Sequence, residues 1–570
     1  MFVAAAEIDD GASLACDVCI IGAGAAGLTV AHELAGAGLD VIVLAGGGRR
    51  RRARDQALYR GSVIDPAQHS WADRFRERRY GGTTTIWGGR CLPFDAIDFE
   101  PRAYVPNSGW PFGRDVLEPY YARAAVYCEI GAPLFDATTA LPDRPAGLLP
   151  GFDSPAVTCT SIERFSRPTD FGRLLARRLR AAAAVRVLLD AHCIGLAGAP
   201  NGAAIDAVRC ATFRPSRFTV RPRFTVLAAG GLETARLLLA ARAAREAPLD
   251  LASSWLGRGY MGHLNGTVGE IQVTHPPHAV NYGYERSPDG VYCRRRFWIT
   301  PAVQREQGLL NVMFRLHHPP INDPAHRQPV LSAMYLVKDL VLYEYSRKMR
   351  EGRSLANLLG HLRNVAAHPL ALARFGADWI DRRWLRARQL PSVALFSPTG
   401  HYSVEFHAEQ SPDPGSRVTL GDATDRFGMP ELVIDWRASA LDVDSVRRAY
   451  GVLQRALAAT GAGVLTLEAP DAMAAAIRRD GAVGGHHLGT ARMAERPERG
   501  VVDAQGRLFG VHNGFVASGA ALPTSSQANP TFTIVALAIR LADHLKRVAR
   551  AAPPIELGAR RSARPALEPV

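Results

Sequence analysis

The chain has no uninterrupted run of 18 apolar residues, which excludes an ordinary membrane-spanning helix. Its opening, MFVAAAEIDDGASLACDV, carries acids where a secretory signal needs basic residues followed by an apolar stretch, so a cytoplasmic location is expected. Lysine is nearly absent: only Lys338, Lys348 and Lys546 stand among 68 basic residues. The net charge of +14 is therefore carried by arginine dispersed along the chain, as a GC-rich coding bias would give. No aromatic-interleaved module accompanies it, so no nucleic-acid partner is expected. Cysteine lacks any metal-binding pattern. Cys16 and Cys19 form a CxxC, but no second pair and no histidine pair completes a zinc or iron-sulfur set, and Cys91, Cys128, Cys159, Cys193, Cys210 and Cys293 are scattered. Reduced core thiols are expected, and no metal. Internal repeats are also missing.

What is present is an ordinary globular composition, 47% hydrophobic and 21% charged, over 570 residues. That length predicts two domains, interleaved along the sequence. Residues 336–390 read as basic helical segments, with Arg347, Lys348, Arg350, Arg382, Arg383, Arg386 and Arg388 between Leu, Tyr and Trp. A solvated helical cover is favoured there over contact with a membrane surface. The tail, residues 551–570, is rich in Pro, Ala and Arg and is expected to be disordered.

The first patterned unit is a strand at Asp17–Ile21, a glycine turn, a helix from Leu28 to Gly36 and a strand from Asp40 to Leu44. Gly22-Ala23-Gly24-Ala25-Ala26-Gly27 fits GxGxxG in that strand-turn-helix context. The first glycine makes the tight turn, the second admits a pyrophosphate, and the third lets helix and strand pack closely, so Gly22, Gly24, Ala25, Ala26 and Gly27 are expected at a dinucleotide. The acid that usually receives the ribose at the end of the second strand is missing: Val41-Ile42-Val43-Leu44 runs into Ala45 and three glycines, then Arg49 to Arg52. Arginines there suit a 2'-phosphate and hence NADP, against an FAD site with a weaker ribose anchor. A second strand-turn-helix, Phe224 to Gly231 followed by Glu233 to Ala240, repeats the logic two hundred residues later. Alternating apolar stretches at Leu309–Leu316 and Val393–His407 predict a sheet that roofs the cofactor.

Four segments together resemble the glucose-methanol-choline (GMC) oxidoreductases: Asp17 to Leu44, Gly81-Gly82-Thr83-Thr84-Thr85-Ile86-Trp87-Gly88-Gly89, the turn Ala229 to Thr234, and the block from His486 to His544 with HHLGT, GVVD and NPTFT in order. The resemblance implies an α/β fold: a Rossmann-like FAD-binding domain assembled from residues 14–100, 186–265 and 480–550, and an α+β substrate domain from 101–185 and 266–479 with an antiparallel sheet over the flavin. It implies FAD contacts at Gly81, Gly82, Thr83, Thr84, Thr85, Trp87, Gly88, Gly89, Ala229, Gly230, Glu233, Gly519, Asn529, Pro530 and Thr531. Relatives that bind FAD covalently do so through a histidine just before the tryptophan of the glycine-rich segment. Ile86 stands there, so a noncovalent flavin is expected.

The same resemblance places the catalytic base at His486, with His487 as an adjacent extra, and Asn529 where relatives carry Asn or a second His. Removing hydride from a carbinol carbon requires the hydroxyl proton to leave with it, which neutral imidazole accomplishes near neutral pH. Asn529 would hold the same oxygen and fix the carbon over flavin N5. His487 is expected to support or pack, more than to react. Met261-Gly262-His263 resembles a segment near the substrate entrance. Glu405, His407 and Glu409 share one strand face and either grip a polyhydroxylated substrate or form a solvent-facing edge. The expected activity is oxidation of a primary or secondary alcohol, of a sugar, cyclitol, aminosugar or polyol, to an aldehyde or ketone. The electron acceptor, oxygen or a carrier, is left open. The rival readings are a non-redox lyase-type enzyme of the same fold and a flavin-free or NADP-binding relative.

Overall fold

The computed structural model describes residues 1–337, 355–480 and 485–551. Two sheets organise these residues. The first has eight strands, in the order Phe2–Ala4, Val185–Leu189, Val41–Ala45, Ser13–Ile21, Arg217–Leu227, Ile205–Ala211 and His192–Gly198, with Gly514–Val516 also paired to Arg217–Leu227. Its centre is parallel, with Val18, Ile20 and Ile21 opposite Val41, Val43 and Leu44, and Val226 opposite Ile20. These strands are continuous Val, Ile and Leu because both faces are covered, as parallel strands require. The helix Ala25–Leu34 covers one face with Thr531–Ala551 and Phe171–Ala181 packed on it. Gly230–Arg242 packs in the cluster on the opposite face.

The second sheet is antiparallel, in the order Gly463–Leu467, His263–Val273, His401–Glu409, Val312–His317, Phe297–Ile299 and Val157–Thr158. Its core, with Phe297, Phe314, Phe406 and Tyr450, lies between the sheet and the helix Ala440–Thr460. That helix starts at a reciprocal cap of Ser439 and Asp442 and stops at Gly461, whose φ of +65° suits a residue without a Cβ.

The packing ties segments together across the expected domain boundaries. The first sheet begins at Phe2, ahead of residue 14. Glu118–Tyr127 and Phe171–Ala181 were expected in the substrate half, yet Tyr121, Ala124, Phe171 and Leu175 share one apolar core with the nucleotide-side helix. Their apolar faces are complementary to Thr531–Ala551 and to Ala25–Leu34, and that complementarity is invisible to linear order. The roof strand predicted from Val393 starts only at His401, because Pro391, Pro398 and Gly400 interrupt the ladder before it. All eight cysteines are free thiols, seven of them buried, in line with the core role expected. In the 336–390 segment, Leu355–Ala367 and Pro369–Ile380 are helical, while Arg347, Lys348 and Arg350 lie outside the described residues, as does the tail beyond Ala551. Among the described residues no helix is long and apolar enough to cross a membrane.

Candidate active site

A cleft runs along the C-terminal ends of the parallel strands. Gly22, Gly24, Ala25 and Ala26 form its floor, Gly82, Thr83, Thr84 and Trp87 one side, Ala229, Gly230 and Glu233 another, and His486, His487, Gly519, Pro530 and Thr531 close the end. The glycines are there because backbones approach too closely for a Cβ. A Cβ at Gly27 would lie 1.9 Å from the Gly22 carbonyl oxygen, and one at Gly82 would lie 2.8 Å from the Gly24 Cα. Above Gly24 itself the space is open, its nearest neighbour being 4.0 Å away. The helix Ala25–Leu34 starts at Gly24 with no side chain capping its first N–H groups, which leaves donors and partial positive charge on the cleft.

Several expected contacts are placed otherwise. Thr84 and Thr85 donate their hydroxyls to the carbonyls of Gly81 and Gly82 and so close the turn they belong to instead of presenting donors to a flavin edge. Gly88 faces solvent, and Gly89 sits where a Cβ would strike Ser166, so both shape the loop from outside the cleft. Ile86 is 52% exposed and is not part of the cleft wall. Glu233 reaches the cleft but is enclosed by Arg76 at 3.2 Å, Arg78 at 3.1 Å and Arg236 at 3.5 Å, which hold its carboxyl down at about 2 against the upward push of burial.

Three of the four arginines of the run are accounted for. Arg49 lies over the Phe2 ring, Arg51 donates to Glu77 at 3.0 Å, and Arg52 pairs with Asp55 and Asp190. These three guanidinium groups are engaged within the chain, which removes the observation that favoured a 2'-phosphate. Arg78, whose Nε would lie 3.4 Å from a Cβ on Gly46, lines the strand end where the acid was missing, together with Tyr59. No sequence pattern had marked either residue.

At the closed end the side chains crowd together. Asn529 Nδ2 is 3.3 Å from His486 Nε2, so the two predicted partners meet across 43 residues of sequence. His486 Nδ1 is 2.8 Å from His263 Nδ1, and His263 Nε2 is 3.0 Å from the Ser525 carbonyl oxygen. His407 stacks on His263 with ring centroids 4.5 Å apart, and its Nδ1 is 2.6 Å from the Gln527 carbonyl oxygen. His486 is half-buried and lines the cleft. Its burial, helped by the nearby Arg90 guanidinium, pulls it down to about 4, and His263 and His407 are pushed below the ordinary histidine range by burial first, then by His486 in the case of His263 and by His263 in the case of His407. All three rings are neutral at pH 7.

His487 faces a separate chain. Its Nδ1 is 2.6 Å from the Tyr260 hydroxyl, which is 2.8 Å from His69 Nε2, while His69 Nδ1 lies 2.6 Å from the Ser70 carbonyl oxygen. Its Nε2 has no partner within the protein and neither does Asn529 Oδ1, although both atoms are buried. A buried acceptor without a donor costs about 1–3 kcal/mol, so both point to a ligand that brings donors. Together with the open floor over Gly24 and the uncapped helix start, the residues fit a flavin dinucleotide.

Glu405 does not reach this wall as a free grip. It pairs with Arg315 at 2.7 Å, and Glu409 is held by Arg102. The turn carrying Ser525 and Asn529 is itself tied down: Trp110 donates to Thr524, Gln410 donates from its backbone to Ser525 Oγ, Arg296 donates to Gln527 Oε1 at 2.6 Å, and Gln527 Nε2 donates to Asp95.

Residues 412–538 match the family model described as GMC oxidoreductase, and residues 17–69 match one described as an FAD-binding domain. The chain is 25% identical to 6'''-hydroxyparomomycin C oxidase of Streptomyces lividus over 93% of its length and 92% of that protein. It is 23% identical to paromamine 6'-oxidase of Streptomyces fradiae, over 92% and 90%. Among solved structures, pyridoxine 4-oxidase from Mesorbium loti superposes with a TM-score of 0.53 at 17% identity, covering 93% of this chain and 99% of that one, which shows a shared fold.

Proposed function

We propose that the chain is a GMC-type, FAD-dependent alcohol oxidoreductase in which His486 and Asn529 form the working pair on a sugar-like hydroxyl. The observation that carries this is the 3.3 Å approach of Asn529 Nδ2 to His486 Nε2 on a cleft wall that also holds an unpartnered Asn529 Oδ1.

Bound FAD supplies the two-electron acceptor for the carbinol C–H. The substrate hydroxyl would replace the 3.3 Å Asn529 contact at His486 Nε2 and lie against both side chains. His486 Nε2 accepts the hydroxyl proton, which keeps the product from being a protonated carbonyl, and Asn529 holds the oxygen so that the C–H faces the cofactor. Because burial keeps His486 neutral, its base form is populated throughout the neutral range. The glycine floor and the free N–H groups of Ala25 and Ala26 would hold the pyrophosphate, and the bare Nε2 of His487 would accept from a hydroxyl or N–H of the bound cofactor or substrate. The flavin is held without a covalent bond, since isoleucine at 86 offers no nucleophile.

The substrate class follows the relatives aligned along nearly the whole chain, whose names are those of paromomycin- and paromamine-type oxidases. An aminosugar or related polyol hydroxyl is proposed, with oxygen as acceptor, giving one carbonyl and one hydrogen peroxide per alcohol. Anaerobic mixing of the yellow holoprotein with a panel of aminosugars, sugars and polyols tests the reading. Bleaching of the flavin band by an alcohol is expected. A flavin that no alcohol reduces, while another reaction turns over, overturns it.

A further inference from the structure

We propose that His263 is a positioning residue that fixes the tautomer of His486, so that the nitrogen facing the substrate is the bare one; this rests on the base role just given to His486. The inference comes from counting protons along a chain of three groups. The far end is the Ser525 backbone carbonyl, which can only accept, so the 3.0 Å contact requires a proton on His263 Nε2. A neutral imidazole carries one proton, hence His263 Nδ1 is bare and accepts. Its 2.8 Å partner, His486 Nδ1, must then donate. His486 has used its only proton on that bond, and its Nε2 is left with a lone pair. Asn529 Nδ2 lies 3.3 Å from that same nitrogen and offers it an N–H, the arrangement the count demands.

The neighbours close off the alternatives. His407 donates its Nδ1 proton to the Gln527 carbonyl and lies against His263 as a stacked ring, so it keeps His263 from turning and brings it no proton from Nδ1. The three rings together offer nitrogens close enough to suggest a metal site. Two of them are bonded to each other and the third to a backbone carbonyl: the 2.8 Å between His263 and His486 is a hydrogen bond, shorter than the about 3.3 Å that separates two nitrogens bound to one tetrahedral zinc at 2.0–2.1 Å, and His407 Nδ1 is spent on Gln527. The second chain, from Ser70 through His69 and Tyr260 to His487, runs by the same count and also ends in a bare Nε2. Two backbone carbonyls thus set two tautomers by relay. In His486 the relay decides reactivity, because the opposite tautomer would present an N–H where a base is needed.

The test uses the full-length, flavin-loaded protein with 15N-labelled histidine, comparing wild type, His263→Leu, His263→Gln and a His486→Asn variant that assigns the His486 signals. The wild-type spectrum is expected to show His486 protonated at Nδ1 and bare at Nε2. His263→Gln retains an acceptor for His486 and a donor for Ser525, so it keeps that pattern, whereas His263→Leu removes both and mixes the tautomers. In anaerobic stopped flow the limiting rate of flavin reduction falls on the order of 10²-fold in His263→Leu, with flavin content unchanged and KM within about twofold, and is restored to within about threefold in His263→Gln. A proton on His486 Nε2 in the wild type overturns the proposal, as does a His263→Leu variant with unchanged tautomer and rate. If His263→Leu fails to fold, the wild-type spectrum and the glutamine variant still decide. If no alcohol reduces the wild-type flavin, the base role of His486 fails, while the spectrum still reports whether the relay exists.

Discussion

The two ends of the cleft bind by opposite means. At the nucleotide end, Gly22, Gly24, Gly27 and Gly82 work through missing side chains: backbone meets backbone, and the ligand is received by N–H groups that any sequence with those glycines would present. At the reactive end side chains set the chemistry, with His486 on the cleft and His263, His407, Gln527 and Asn529 around it each held by a hydrogen bond to a named partner. The first end is a shape and tolerates no added atom. The second is a proton count and tolerates no lost one.

The largest expected effect breaks the shape. Gly27→Ala forces a Cβ onto the Gly22 carbonyl, and the purified protein should carry roughly tenfold less flavin or worse. An absorption spectrum with full flavin content would show that the two backbones can separate. Next, His486→Ala should keep its flavin and lose about 10²- to 10⁴-fold in anaerobic reduction rate. Near-normal reduction would remove His486 as the base. Third, Gln527→Leu takes a partner from buried Arg296 and one from Asp95, and should destabilise the fold by about 2–3 kcal/mol in denaturant titration. An unchanged midpoint would mean that the turn is held by its other bonds.

The smallest effect is a pH response. His486 titrates at about 4 in the fold against about 6.5 when unfolded. The folded protein therefore binds fewer protons between those values, and this histidine's stabilising contribution is present above 6.5 and lost as pH falls toward 4. His263, His407 and Arg90 face it, and burial first and the Arg90 guanidinium second oppose its charging. Flavin reduction should stay within about twofold from pH 7.5 to 5.5, and an acid limb near 6.5 would show a ring more hydrated than the wall allows.

The same contrast explains what could be read from the chain. Glycine fingerprints are local, so the first βαβ unit, the turn at Ala229 and the order of the C-terminal patterns were legible, and with them the fold class and the cofactor. The pairing of His486 with Asn529 is expected through family resemblance, and the two side chains lie 3.3 Å apart. The partners of the wall were not legible. His263 is 223 residues from His486, His407 reaches the site through strand pairing with Val312–His317 and His263–Val273, and no spacing encodes either. Thr84, Thr85 and Glu405 carried plausible functional side chains whose bonding capacity is taken up by neighbours that only the fold reveals. That the helices Glu118–Tyr127 and Phe171–Ala181 share an apolar core with Ala25–Leu34 was not legible, because sequence order hides which apolar faces meet.

The turn from Thr524 to Asn529 is bonded to both halves of the molecule: to Trp110 on the nucleotide side and to Arg296, His407 and Gln410 on the roof side. A rivet of that kind forbids the halves from swinging apart like a clam, since each degree of opening would strip acceptors from buried cations and rings. On the proposed reading, the wall that carries Asn529 is a gauge cut before the substrate arrives, and a hydroxyl that does not match its dimensions has no compliant surface to lean on.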